Sequence, residues 1–338
     1  MSVRALAARR VVLAVLSVYL VFTLSFAFVA LTPDPNTGSV RFAAASSCSG
    51  TSEERAECIE RKMAAYRQAN NLDEPVVERY VDWLVAMSTL EWGASAEARS
   101  EVLTAIRASV PYTLLYVVPS MLLSAAGGLA AGAYLALNPG GTVDRVGTAA
   151  TYLGYGLPNF WIAAFLLAVV GKAYVLPGSY ILSWDPRVQP GMGPMDPGTW
   201  ARMVMPVAVL STTLFANQLR HGRAEVLEHA GSELVKMVRS KGFGDRGVTR
   251  HVFRMTAPLL LSLFVVDLFG VILVNIFVIE YVFDMPGFGS LSLRAIKNRD
   301  VPLLLGTTMV VAIVGIAGNL LKDLATLALD PRVGDGER

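Results

Sequence analysis

The chain has 338 residues, of which 54% are hydrophobic and only 17% charged, and its formal net charge is +2. Soluble domains carry about a quarter charged residues, so this composition, with a mean hydropathy of +0.49, points to a membrane protein. So small a net charge gives no ground for a nucleic-acid partner.

A bilayer core of about 30 Å needs about 20 apolar residues in a helix. Val11 to Leu31 is the first such segment, longer than the apolar core of a cleaved signal. It is read as an uncleaved anchor over 1–31, a removed signal being the other reading. Residues 32–107 form an extracytoplasmic region in which acidic residues, among them Glu53, Glu54, Glu57, Glu60, Asp73, Glu74 and Glu78, outnumber basic ones. The only cysteines, Cys48 and Cys58, both fall there, where an oxidising compartment permits a disulfide. Two free thiols are the alternative. Asp73 to Trp92 is patterned as an amphipathic helix with Val77, Tyr80, Val81, Leu84 and Met87 on one face, lying on the membrane surface or the spans, or offered to a partner.

Five further spans follow: Tyr112 to Leu137, Thr148 to Val170 broken by Pro158, Trp200 to Leu219 with Pro206 inside, Pro258 to Val282, and Pro302 to Leu327. The expected fold is all-α and polytopic, with six transmembrane helices. Arg4, Arg9 and Arg10, the basic insert and the tail with Arg332 and Arg338 share one side, which the positive-inside rule makes cytoplasmic for both termini.

Arg220 to Pro258 is a net basic run of helical character between two spans. Leu227, Ala230 or Gly231, Leu234 and Val238 recur at three and four residues, Gly242 is placed to stop the helix in the left-handed region, and Asp245 can cap a second helix. Anionic lipid could hold such a basic element. An apolar ridge fitted into the groove of a cytoplasmic partner is the functional reading.

Val238-Arg239-Ser240-Lys241-Gly242-Phe243, followed by Arg250-His251 and Arg254, resembles the cytoplasmic EAA-type loop of ABC importer permeases. More closely it is similar to the dipeptide/oligopeptide/nickel family, of the first-permease (B-subunit) type. Glu280-Tyr281-Val282-Phe283-Asp284-Met285-Pro286-Gly287-Phe288-Gly289 resembles that family's outer-loop signature. Leu157-Pro158-Asn159-Phe160, Asn298-Arg299-Asp300 with Pro302, and Leu329-Asp330-Pro331-Arg332 also resemble it. The departures are Lys236, Met237 and Val238, where the general pattern has glutamate and two alanines, and Met255, where the family has asparagine.

The resemblance implies a type I importer permease fold over 108–328, with a coupling loop at about 220–257 and a cytoplasmic tail at 329–338. It implies a second homologous permease, two cytoplasmic ATPases using ATP-Mg, an extracytoplasmic solute-binding protein, and the cell membrane of a prokaryote. The solute would be a di- or oligopeptide, or by the same architecture nickel or another small solute. ATPase-coupling residues would be Leu234, Val235, Val238, Arg239, Lys241, Gly242 and Phe243. Glu280, Pro286, Gly287 and Gly289 carry the outer-loop signature.

The chain has no phosphate-binding loop of the Walker type, no nucleophile–base pairing, and three histidines too widely spaced for zinc. It is therefore read as a transport subunit, not an enzyme, with no metal or cofactor of its own. Asp267 is the one acid deep in a span, about 14 Å past Pro258 at 1.5 Å per residue. An intramembrane charge is costly unless compensated, so Asp267 either lines the pathway or makes a polar contact with another span. Asn275, Asn159 and Asn319 are weaker candidates. Glu280 lies near the outer boundary, where its charge is expected to reach water. The rival classes are an ion-coupled secondary transporter and a membrane receptor.

Overall fold

Apolar residues on every face make Val3–Leu31 (α1) a helix of 29 residues whose outward side chains need a non-aqueous surround. The computed structural model describes residues 3–32, 34, 36–173, 188, 191–230, 237, 240–242, 244, 247, 250, 264, 267 and 270–329. Among these, four helices are long and apolar enough to cross a membrane: Arg4–Leu31, Val102–Ala136, Pro197–Glu228 and Val301–Leu327. A fifth crossing is available if the bent pair Thr142–Gly156 and Asn159–Val169 is one span. The first part of the expected span from Pro258 lies largely outside the described residues; its end is helical from Val271 to Val282.

The contacts divide the chain into two units, one of residues 1–11, 106–293 and 317–338, the other of residues 12–105 and 294–316. The first is built on α5 (Val102–Leu123), a π turn (Ser124–Gly128) and α6 (Leu129–Leu137), which run on as one rod. Next come α7 (Thr142–Gly156), α8 (Asn159–Ala173) and α9 (Pro197–Ala230). The helix expected to start at Tyr112 begins ten residues earlier, because Pro111 is accommodated inside it. Likewise α9 runs past Leu219 to Ala230, so the basic insert starts as a continuation of its span.

Close approach of the π turn and α6 to α9 rests on Gly128 and Gly132, four residues apart on one face. A Cβ at Gly128 would lie 2.8 Å from the Gln218 side chain and 2.9 Å from the Phe215 carbonyl, and one at Gly132 would collide with the Leu219 carbonyl. Lipid tails are as apolar as leucine, so such backbone contact replaces the hydrophobic drive between helices. Ser120 and Ser124 reinforce the junction by donating to the Val207 and Ser211 carbonyls at 3.2 and 3.3 Å.

In the second unit, α2 (Thr37–Ser47) and α3 (Ser52–Ala69) are joined by the Cys48–Cys58 disulfide, with Cα atoms 6.0 Å apart. Thr51 and Glu54 form a reciprocal capping box at the start of α3. Those hydrogen bonds from Thr51 hold the Glu54 carboxyl below its usual range. Tyr66 on α3 donates to Asp34 at 2.7 Å. Helix α4 (Val76–Thr89) turns Tyr80, Trp83, Leu84 and Met87 inward and leaves Val77 and Val81 exposed, so the apolar face expected from the sequence is split. Two short antiparallel strands pair Ala94 with Glu101 and Ser95 with Ser100.

The last helices are α10 (Ile276–Val282), α11 (Phe288–Lys297) and α12 (Val301–Leu329). Asp300 starts α12 by accepting from the Leu303 amide at 3.0 Å, and it also accepts from the Ser95 hydroxyl at 2.8 Å and the Glu97 amide at 2.9 Å.

Candidate functional site

The expected third span is bent by 94° at Leu157-Pro158. Proline disfavours helix at the residue before it, and Leu157 is extended at φ −86°, ψ 121°. The bend delivers Asn159, the first residue of α8, into the helix junction, where it is only 9% exposed. Its Nδ2 donates to Asn275 Oδ1 at 2.6 Å, and its Oδ1 accepts from Thr213 on α9 at 2.5 Å. Asn275 closes the second π turn (Val271–Asn275) and donates to the Gly270 carbonyl at 3.2 Å.

One turn further along α9, Asn217 donates to one carboxylate oxygen of Asp267 at 2.6 Å, and Gln218 donates to the other. Charge at Asp267 is thus met by two neutral amides, one of them (Gln218) buried. All three residues proposed from sequence for the pathway, Asp267, Asn275 and Asn159, therefore bond within one polar seam along α9. Thr213, Asn217 and Gln218 were not anticipated. Thr213 and Asn217, four apart on one face of a span, carry a signal that marks them; Gln218 carries none of that kind. Among the described atoms of Asn319, its Oδ1 accepts only from Lys322 at 3.3 Å, outside this seam.

Arg223 lies further along α9 and makes a bidentate ion pair with Asp144, 2.8 and 3.0 Å, at the start of α7. Asp144 also accepts from the Gly140 amide at 3.0 Å, so one carboxylate fixes the α6–α7 turn to α9. Arg220, one turn before, stacks over the Tyr155 ring at 4.9 Å.

Glu280 is wholly buried, contrary to the expectation that its charge reaches water. Its Oε1 accepts from Thr113 at 2.6 Å and Tyr116 at 3.1 Å, both on α5, and its Oε2 accepts from the Ser290 amide at 2.8 Å. Thr113 in turn accepts from the Phe288 amide at 2.8 Å. These bonds place an acid at the amino end of α11, where unpaired amides and the helix dipole favour it. Asp284, at φ 50°, turns the chain into Pro286-Gly287, and Gly289 lies against the Ile276 carbonyl, so the signature residues form one folded corner.

Of the expected coupling residues, Leu234, Val235, Val238, Arg239 and Phe243 lie outside the described residues, as do Lys236 and Asp245. The Lys241 amide donates to the Met237 carbonyl at 3.2 Å, and Gly242 takes a positive φ of 84°, a conformation that costs glycine little.

Residues 128–335 match the family model for the binding-protein-dependent transport system inner membrane component. The chain belongs to this family. It is 26% identical over 277 residues to the metal-staphylopine import system permease protein CntB of Staphylococcus aureus, covering 82% of this chain and 84% of that protein. It is 27% identical over 271 residues to the oligopeptide transport system permease protein AppB of Bacillus subtilis, covering 78% and 82%. A putative peptide transport system permease of Brucella abortus is 29% identical over 268 residues, covering 78% and 81%. The chain is thus the membrane permease subunit of an ABC importer. It is a transport subunit and not an enzyme, since ATP hydrolysis in this family belongs to separate subunits. Membership also weighs against an ion-coupled secondary transporter.

Proposed function

We propose that this permease passes di- or oligopeptides through a pathway bordered by the α9 polar seam. A second homologous permease completes that pathway, an extracytoplasmic binding protein delivers the solute, and two cytoplasmic ATPases drive alternating access. The observation that carries the reading is a pair of hydrogen-bonded clusters one turn apart along α9, Asn275–Asn159–Thr213 and Asn217–Asp267–Gln218. Polar groups at this depth are costly, which favours a place facing a water-filled path or a partner over one facing lipid.

Six crossings fit this reading. Arg10 pairs with Asp323 at 3.0 Å, which supports placing the start of α1 and the end of α12 on one side of the membrane. An even number of spans agrees with that placement, and the segment expected from Pro258 to Val282 would be the sixth. The arginines of the amino end favour the cytoplasm for both termini, with 32–107 outside and the loop at about 220–257 reaching the ATPases. Motion of those subunits would enter through the Lys241-Gly242 turn as through a lever, with Leu234, Val235, Val238, Arg239 and Phe243 in the partner groove. The membrane would be a prokaryotic cell membrane, the named relatives being bacterial.

Reconstitution in proteoliposomes with its partner subunits tests this: ATP-dependent uptake of labelled peptides is expected, and its absence with a competent binding protein sinks the peptide reading. The metal-staphylopine relative supports a second solute class, a small metal complex, which the same vesicles distinguish by uptake of chelated metal without peptide.

A further inference from the structure

Helix α4 meets α1 well below its end. Tyr80 shares a hydrogen bond with Thr23 at 2.9 Å, Trp83 donates to the Phe22 carbonyl at 3.3 Å, and Phe26 packs on both rings. Phe22 and Phe26 lie nine and five residues before Leu31, about 8–14 Å down the helix at 1.5 Å per residue. That length of α1 belongs to an apolar span of 28 residues, and its Leu24 and Phe28 are 60% and 72% exposed.

At about 100° per residue, α4 divides into three sectors. Tyr80, Trp83, Leu84 and Met87 face α1 and its surroundings. Val77, Val81 and Val85 form a second stripe, 73%, 50% and 54% exposed. Glu78, Asp82 and Thr89, all exposed, form the third. A helix on a water-facing domain needs only two sectors, one buried and one polar. The extra sector, the stripe of three valines with Ser88 among them, lacks the aromatic and arginine anchors of protein interfaces.

We infer that α4 is seated in the bilayer interface at the Leu31 end of α1, with Val77, Val81 and Val85 against acyl chains and Glu78 and Asp82 toward headgroups and water. The lipid-facing surface of α1 continues onto this stripe, because α4 is fastened to α1 within its apolar span. Such a seat braces residues 32–105 against the membrane. It goes beyond the transport reading and does not depend on it.

Nitroxide labels at Val81→Cys and, separately, Val77→Cys, in the full chain with its native disulfide intact and embedded in lipid bilayers, test the inference. Collision with oxygen should exceed collision with a water-soluble nickel reagent at least twofold at both positions, with the order reversed at Glu78→Cys. Nickel equal to or above oxygen at the valines means a water-facing helix and overturns the proposal. Low accessibility to both reagents means a protein partner and overturns it as well. Both valines are already exposed, so neither label disturbs a packed core, and retained binding of partner subunits checks the fold.

Discussion

The Glu280 carboxylate fills the space that a side chain at residue 287 would need: a Cβ built on Gly287 would overlap the Glu280 carboxyl group. That carboxylate cannot step aside without giving up its bonds to Thr113, Tyr116 and Ser290. Gly287→Ala is therefore expected to lower stability by about 1–3 kcal/mol, the usual cost of forcing an extra methyl into a packed site. Thermal denaturation of the purified chain in detergent checks it. An unchanged midpoint would mean that the corner is looser than its contacts imply.

Glu280→Gln separates charge from shape. The amide keeps one acceptor oxygen, but its NH2 group either confronts the Ser290 amide or turns to the Thr113 and Tyr116 hydroxyls, which can accept it only by leaving their own protons without the carboxylate. A buried donor left unpaired costs about 1–3 kcal/mol. Destabilisation should therefore approach that of Glu280→Ala despite the isosteric side chain. Denaturation midpoints of the two variants settle the comparison.

The Asp144–Arg223 pair should behave as a coupled unit. Its fork geometry suits a guanidinium and not an ammonium, so Arg223→Lys is expected to lose most of the stability that Arg223→Ala loses. Removing both partners should cost less than the sum of the single changes. A double-mutant cycle on melting temperature measures this, and additive losses would show that the two side chains do not act on one another.

Tyr66 gives the described part of residues 32–105 a marked alkaline limit. Burial and the neighbouring Asp34 push its phenol up to about 12 from an ordinary value near 10. A raised folded value means that the neutral phenol is the stabilised form. Its contribution is complete below pH 10 and is lost as pH rises through 12. Absorbance titration of the chain minus Tyr66→Phe should show one phenol ionising near pH 12, and a midpoint near 10 would contradict the buried bond.

Much of this architecture is written in local pattern. Apolar run lengths locate α1, α5–α6, α9 and α12, Pro158 marks the bend, and Asp300 before Val301-Pro302 reads as a helix start. What local pattern could not reveal is pairing across the chain. Asp144 is a carboxylate beside a glycine turn until Arg223, 79 residues later, arrives against it. Glu280 looks solvent-bound from its place near a span end, yet Thr113 and Tyr116, more than 160 residues earlier, bury it. The Gly128–Gly132 pair was legible in principle, since small residues four apart in a span mark a close helix contact.

Asp267 is where a structural and a transport role can be told apart. Both of its oxygens accept from α9 amides, and Gln218, one of the donors, is buried. Asp267→Ala strands that donor and should weaken packing whatever the residue does in transport. Asp267→Asn keeps the shape and one acceptor but removes the charge. If the carboxylate faces passing solute, Asp267→Asn should cut uptake of peptides with an extra lysine at least threefold more than uptake of neutral ones, compared in the assembled transporter at equal amounts of folded protein because one amide donor loses its acceptor. A uniform loss for all peptides would assign Asp267 to packing alone. Steady-state uptake of matched neutral and cationic peptides, each delivered at saturating binding protein, makes the measurement.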